Sequence, residues 1–176
     1  MLRMASSNCE VYGGFNNFTS NSSGSSTQMV AAFRWKGKYS EGNSFASKDI
    51  FAVTWSSPFI ERSSRGYLSY VNTHYGDTVD TTATVNADDL YLSSIQVIKN
   101  ESTVVNGDVR GHWIDAGSII SELSTKTKTP DIVAYAAYGL NTAYASPSVS
   151  VGKDSAGVGL SFGSKIKNVG SARFYN

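Results

Sequence analysis

Residues 102–113 read Ser-Thr-Val-Val-Asn-Gly-Asp-Val-Arg-Gly-His-Trp. Asn106-Gly107 sits between Val104-Val105 and Asp108-Val109. A type I′ turn needs positive φ at both central residues, and its twist matches that of paired strands; Asn-Gly is the dipeptide that suits it best. The stretch therefore predicts a tight β-hairpin and sets the frame for the rest of the chain.

Working upstream, Leu90, Leu92, Ser94 and Gln96 share one parity, while Tyr91, Ser93, Ile95 and Val97 share the other. Lys99-Asn100-Glu101 connects that strand to the hairpin. Further strands are expected over 29–35, 49–56, 66–75 and 78–85, each with the period-2 alternation of a half-buried strand. Ser57-Pro58 ends the second of these, because proline cannot donate to a ladder. Turns are signalled by Lys36-Gly37-Lys38, Glu41-Gly42-Asn43 and Gly76-Asp77.

Downstream, Ile119, Ile120 and Leu123 share a helical face, which makes a short helix plausible over 118–124. Residues 130–138 fit a helix start at Pro130 and a stop at Gly139. They also fit a buried strand, which the all-β surroundings favour. Residues 148–163 read as a hairpin, with Val149, Val151, Val158, Leu160 and Phe162 on an apolar face. Ser148, Ser150, Gly152, Gly157, Gly159, Ser161 and Gly163 lie opposite, and Lys153-Asp154 is near the turn. Glycine weakens a strand, so this face suggests close approach by another surface.

The expected fold is an all-β, single-domain antiparallel β-sandwich or jelly roll of about 9–11 strands, with at most one or two short helices. Residues 1–27 are expected to form an N-terminal segment followed by a flexible Ser/Thr/Asn-rich loop over 19–27, and residues 28–176 the sandwich.

Composition narrows function by exclusion. The 176 residues carry 15 Lys plus Arg against 14 Asp plus Glu, and only 16% are charged, against about 25% in ordinary soluble domains. There is no cationic excess to displace counterions, so nucleic acid is not the expected partner. The 12% aromatic content argues against an acidic disordered chain. One cysteine, Cys9, excludes a disulfide scaffold. The 28 Ser and 13 Thr alternate mostly with apolar residues and would form outer sheet faces. No run of 18 apolar residues marks a transmembrane helix. No signal peptide is visible over 1–8, and the hydroxyl-rich composition favours an extracellular or cell-surface setting for a mature chain. Asn17, Asn21 and Asn100 begin N-x-S/T sequons.

No catalytic constellation stands out. Gly159-Leu160-Ser161-Phe162-Gly163 spells G-x-S-x-G, but a nucleophile elbow needs a strand-to-helix turn and this lies in a period-2 strand. His74 and His112 lack metal-ligand spacing and read as residues beside turns. Asp77, Asp80, Asp88 and Asp89 could offer oxygen ligands to Ca²⁺, although no EF-hand pattern is present and solvated turn carboxylates explain them as well. The five Glu form no distinctive pair. Trp35, Trp55 and Trp113 are expected in the core, and several of the ten Tyr at the surface.

The favoured expectation is a non-enzymatic secreted or surface protein that acts by self-assembly or surface recognition, as a homo-oligomer and without a cofactor. Its candidate interaction surface is Val11, Tyr12, Phe15 and Phe18, whose strand could pair with a neighbour's edge, together with Ser148, Ser150, Gly157, Gly159 and Ser161. The alternatives are a membrane-binding β-pore-forming toxin, with a transmembrane hairpin from residues 78–94, and a carbohydrate-binding module using surface Tyr and Asn.

Overall fold

The computed structural model describes residues 9–36, 47–72, 74–89, 91–129, 131–141, 143, 146–152 and 157–176. The turn signals at Gly37, Gly42 and Lys153-Asp154, and Pro130, lie outside the described residues. Thirteen strands and no helix are present among the described residues. They are β1 (Cys9–Asn21), β2 (Gly24–Trp35), β3 (Asp49–Trp55), β4 (Ile60–Val71), β5 (Thr78–Ala83), β6 (Asn86–Asp89), β7 (Leu92–Val97), β8 (Asn100–Val105), β9 (Asp108–Thr125), β10 (Val133–Asn141), β11 (Val149–Gly152), β12 (Gly159–Phe162) and β13 (Ile166–Tyr175).

Every pairing is antiparallel. The first sheet runs β1-β2-β9-β4-β5, with β8 paired on the N-terminal part of β9. The second runs β13-β10-β3-β7-β6. The β-sandwich expected from the alternation is the fold observed. Its core lies between the inner faces. Phe33 and Trp35 from the first sheet meet Phe51 and Tyr138 from the second, with Phe33 4.7 Å from Tyr138 and 5.0 Å from Phe51 between ring centroids. Trp55 is also buried, its indole N–H donating to the Phe59 carbonyl at 2.9 Å, while Trp113 is only partly buried.

Glycines admit the closest packing. At Gly117 a Cβ would stand 2.5 Å from the Phe33 ring, and at Gly170 it would stand 2.6 Å from the Cys9 carbonyl oxygen. The second contact brings the edges β1 and β13 together. On the Gly157–Gly163 face, a Cβ added at Gly163 would meet the Ser148 hydroxyl of the same hairpin. Nothing lies within 4 Å of a Cβ built at Gly157, and the β11–β12 hairpin instead lays its apolar side on the second sheet, where Phe162 sits over Gly139. That cover explains why all seven residues of β3 are buried rather than alternate ones.

Two local expectations change. The flexible loop over 19–27 is instead the closed end of the β1–β2 hairpin, with Asn21 paired to Gly24. The Asn21 side chain caps that turn by accepting from Ser23 N–H at 2.8 Å, and hydroxyl pairs Thr19–Ser26 and Ser20–Ser25 bridge the strands. A polar low-complexity run thus becomes cross-strand hydroxyl ladders. The helix expected over 118–124 is part of β9. There Ile119, Ser121 and Leu123 point inward, and Ser121 is buried because it donates to the Glu61 carboxylate at 2.8 Å. An inward serine broke the strand pattern and left a spurious helical one. Residues 133–141 are a strand, as their surroundings favoured.

Candidate functional site

Ordered as a strand pair, 100–113 forms an arm. Register runs from Asn100↔Trp113 to Val105↔Asp108, closed by Asn106 at φ 52° and Gly107 at φ 86°, as the type I′ reading requires. Among the described residues β8 pairs with β9 alone. Only the part of β9 from Trp113 onward joins the body of the first sheet, so the arm projects beyond it by about 20 Å at roughly 3.4 Å per residue.

The arm has two unlike faces. Register puts Asn100, Val104, Val109, Gly111 and Trp113 on one, which carries no charge, and Asp108 and His112 on the other. Val104 and Val109 are directly opposite each other and are 70% and 73% exposed. Such a cross-strand apolar pair would normally face a core. The β4–β5 turn stands at the same end, tied to the arm by Asn72 Nδ2–H donating to the Gly111 carbonyl at 2.9 Å. It presents Tyr75, 58% exposed, with His74 edge-on to it at 4.5 Å.

A buried polar cluster fixes the base of this arm. Lys99 is 1% exposed. Its Nζ donates to the Asn141 carbonyl at 2.8 Å and to Ser47 Oγ at 2.9 Å, and lies 3.4 Å from Asp49 Oδ1. Asp49 in turn accepts from Tyr138 OH at 2.7 Å and from Asn141 N–H at 2.9 Å. Lys99's carbonyl accepts from Ile114 N–H at 3.0 Å, and Tyr70 OH donates to the Ile98 carbonyl at 2.8 Å. One residue therefore binds the arm's root to both sheets. Cys9 is buried nearby, and burial, aided by the Asp49 charge, pushes its thiol up to about 12. A thiol so placed is a packing group rather than a nucleophile.

The residues singled out from sequence are scattered. Val11 is buried in the core; Phe15 and Phe18 turn inward, with ring centroids 5.4 Å from Phe174 and 6.5 Å from Phe59. Tyr12 points outward. Ser150 and Ser161 are paired across β11–β12, Gly159 pairs with Gly152, Gly157 turns at φ 90°, and the Ser148 carbonyl accepts from Gly163 N–H at 3.0 Å. Among the described residues of 78–94, β5 lies at the edge of the first sheet and β6 pairs in the second, so the two are not paired with each other here. His112 is fully buried rather than beside a turn at the surface. Among the described residues no three His, Cys, Asp or Glu side chains converge as a metal site would require. Asn17 takes a left-handed φ of 54° beside an irregularity in β1.

Sequence reasoning located the arm but missed its anchor. Lys99 looked like a turn residue and Asp49 like a strand start, and nothing local signals that the two meet across fifty residues.

No family model matches this chain. No curated protein matches it either. Among solved structures, one described as "Pore forming protein" is similar over 94% of this chain and 90% of that one, at 10% sequence identity and a TM-score of 0.41.

Proposed function

We propose that this protein acts by contact rather than catalysis, at the outer surface of a cell, and that it docks on a lipid surface through the β8–β9 arm. The carrying observation is the exposed Val104–Val109 pair on an uncharged arm face, rigidly rooted and accompanied by Tyr75. Tyrosine suits the headgroup level and valine the region just beneath it. The reading requires no cofactor or metal.

Magnitudes set the mode. Fully burying a valine side chain is worth about 1.5–3 kcal/mol, so the pair supplies roughly 3–6 kcal/mol, a millimolar affinity or somewhat better. One arm gives weak, reversible attachment, and several arms in one assembly would be needed for tight binding. Six residues per strand is also short of the ~9–11 that a membrane-crossing strand needs. The arm is therefore an interfacial anchor.

Vesicle co-sedimentation tests this with phosphatidylcholine vesicles, with and without anionic lipid. The wild-type chain should bind and Val104→Glu/Val109→Glu should not, at unchanged thermal stability. Equal binding by both, or none by the wild type at millimolar lipid, would refute it. Release of an entrapped dye would show that more of the chain than the arm enters the bilayer.

Self-assembly is the second reading, favoured by one observation: among the described residues β5 pairs on one side only. Against the route through residues 11–18, that segment is already paired to β2 and flanked by β13. Size-exclusion chromatography across a hundredfold concentration range checks it.

A further inference from the structure

The outer face of the first sheet carries a row that the arm does not involve. Register aligns Tyr12 of β1, Ala32 of β2, Ser118 of β9 and Tyr67 of β4 side by side. The two tyrosines are 51% and 39% exposed, whereas Ala32 is 7% exposed. Two aromatic walls thus stand about 14 Å apart, three strand spacings, over a floor of small side chains. The groove holds about 360 Å³, at the small end of the range for small-molecule sites. Ser69 and Asp80, cross-strand neighbours beside Tyr67, complete its rim, and among the described residues Asp80 is the one charged side chain lining it.

We infer that this groove is a binding site for a short neutral oligosaccharide. The chemistry selects the ligand. Exposed tyrosine faces accept the flat C–H face of a sugar ring and offer a hydroxyl at the edge. Asp80 and the serine hydroxyls take the hydrogen bonds of sugar hydroxyls, and a carboxylate acceptor strengthens them. A lone negative charge opposes sulfated or sialylated glycans. A purely apolar ligand would leave Asp80 without compensation as water is expelled. A protein partner needs roughly 800 Å² on each side, far more than this narrow row presents. The inference is independent of the lipid-binding reading, because no groove residue belongs to the arm.

The test is a glycan array probed with the full chain, followed by NMR titration with lactose, maltotriose and chitotriose. Neutral glycans should bind, with amide shifts confined to the strands around Ala32, Ser118 and Tyr67. Tyr12→Ala and Tyr67→Ala should each weaken binding about tenfold or more, Tyr67→Phe should retain most of it, and Asp80→Asn should weaken it. Val104→Glu/Val109→Glu should bind glycan as the wild type does, which separates failure of this inference from failure of lipid docking. The inference is overturned if no neutral glycan binds at millimolar concentration, if hits are confined to acidic glycans, or if the folded Tyr67→Ala variant binds unchanged. Loss of concentration-dependent self-association in Tyr12→Ala, without glycan binding by the wild type, would overturn it in favour of a second copy of the chain.

Discussion

Replacing Lys99 with methionine should cost more stability than any surface substitution. The variant keeps most of the buried volume and removes the charge. Asp49, 0% exposed, then loses the ammonium 3.4 Å away while the Tyr138 hydroxyl and the Asn141 amide still donate to it, and the Asn141 carbonyl and Ser47 hydroxyl each lose a donor. Breaking a buried pair by removing one member typically costs about 3–5 kcal/mol, a large part of the roughly 5–15 kcal/mol that holds a domain folded. At about 2–4 °C per kcal/mol for a chain of this size, the melting temperature should fall by roughly 6–20 °C. Guanidinium unfolding measures the free energy directly. The midpoint should drop with little change in slope, since the fold and its buried area persist. The double variant Lys99→Met/Asp49→Asn removes both charges of this cluster and retains an amide oxygen for Tyr138 or Asn141. It should recover most of the loss, because the penalty comes from an orphaned charge rather than a missing attraction. A single variant within 0.5 kcal/mol of wild type, or a double variant no better than the single, would refute this account.

Other consequences can be measured on the same protein. Cys9 should resist Ellman's reagent at neutral pH in the folded state and react on unfolding, since a thiol at about 12 is almost wholly protonated there. Its folded value lies above the ordinary 9.0, so the stability it contributes is intact below pH 9 and declines as pH rises from 9 towards 12. Subtracting the pH profile of Cys9→Ala isolates that slope, and an identical slope in both would count against it. Gly117→Ala should destabilise by about 1–3 kcal/mol, as the added methyl meets the Phe33 ring and Leu68; thermal melts decide. Gly107→Val forces a β-branched residue to φ 86°. Hydrogen exchange should therefore rise in the arm and remain unchanged in β2 and β10.

The sandwich was legible because its strands alternate and its turns carry Asn-Gly or Gly-Asp. Alternation fails where both faces of a strand are buried, as in β3, or where an inward position holds a polar residue satisfied from the neighbouring strand, as Ser121 of β9 is by Glu61 of β4. The hydroxyl run 19–27 misled for a related reason. Composition alone does not distinguish a solvated loop from a hairpin whose serines bond one another. Tyr12 was singled out from sequence, but its partner row was not. Ala32, Ser118 and Tyr67 join it only through the registers of four strands, and register is set by pairings between segments up to about ninety residues apart. The same holds for Lys99 and Asp49.

The arm and the groove share one strand and one side of it. Along β9, Val109, Gly111 and Trp113 alternate with the buried His112 and Ile114. The irregularity opposite Ser69 and Tyr70 then carries the outward positions on to Ala116 and Ser118. The uncharged face of the arm therefore runs into the outer face that holds the Tyr12–Tyr67 groove. Each contact is weak alone, the arm because two valines bury little area, the groove because it is small. Held on one rigid strand, the second contact becomes intramolecular once the first is made, and two millimolar contacts then combine into a much tighter one without any new interaction. Vesicles bearing a bound neutral glycolipid should consequently retain the chain more than tenfold better than plain vesicles. Either Val104→Glu/Val109→Glu or Tyr67→Ala should return binding to the weaker level. Additive rather than multiplied gains would mean that the two sites do not reach one surface together.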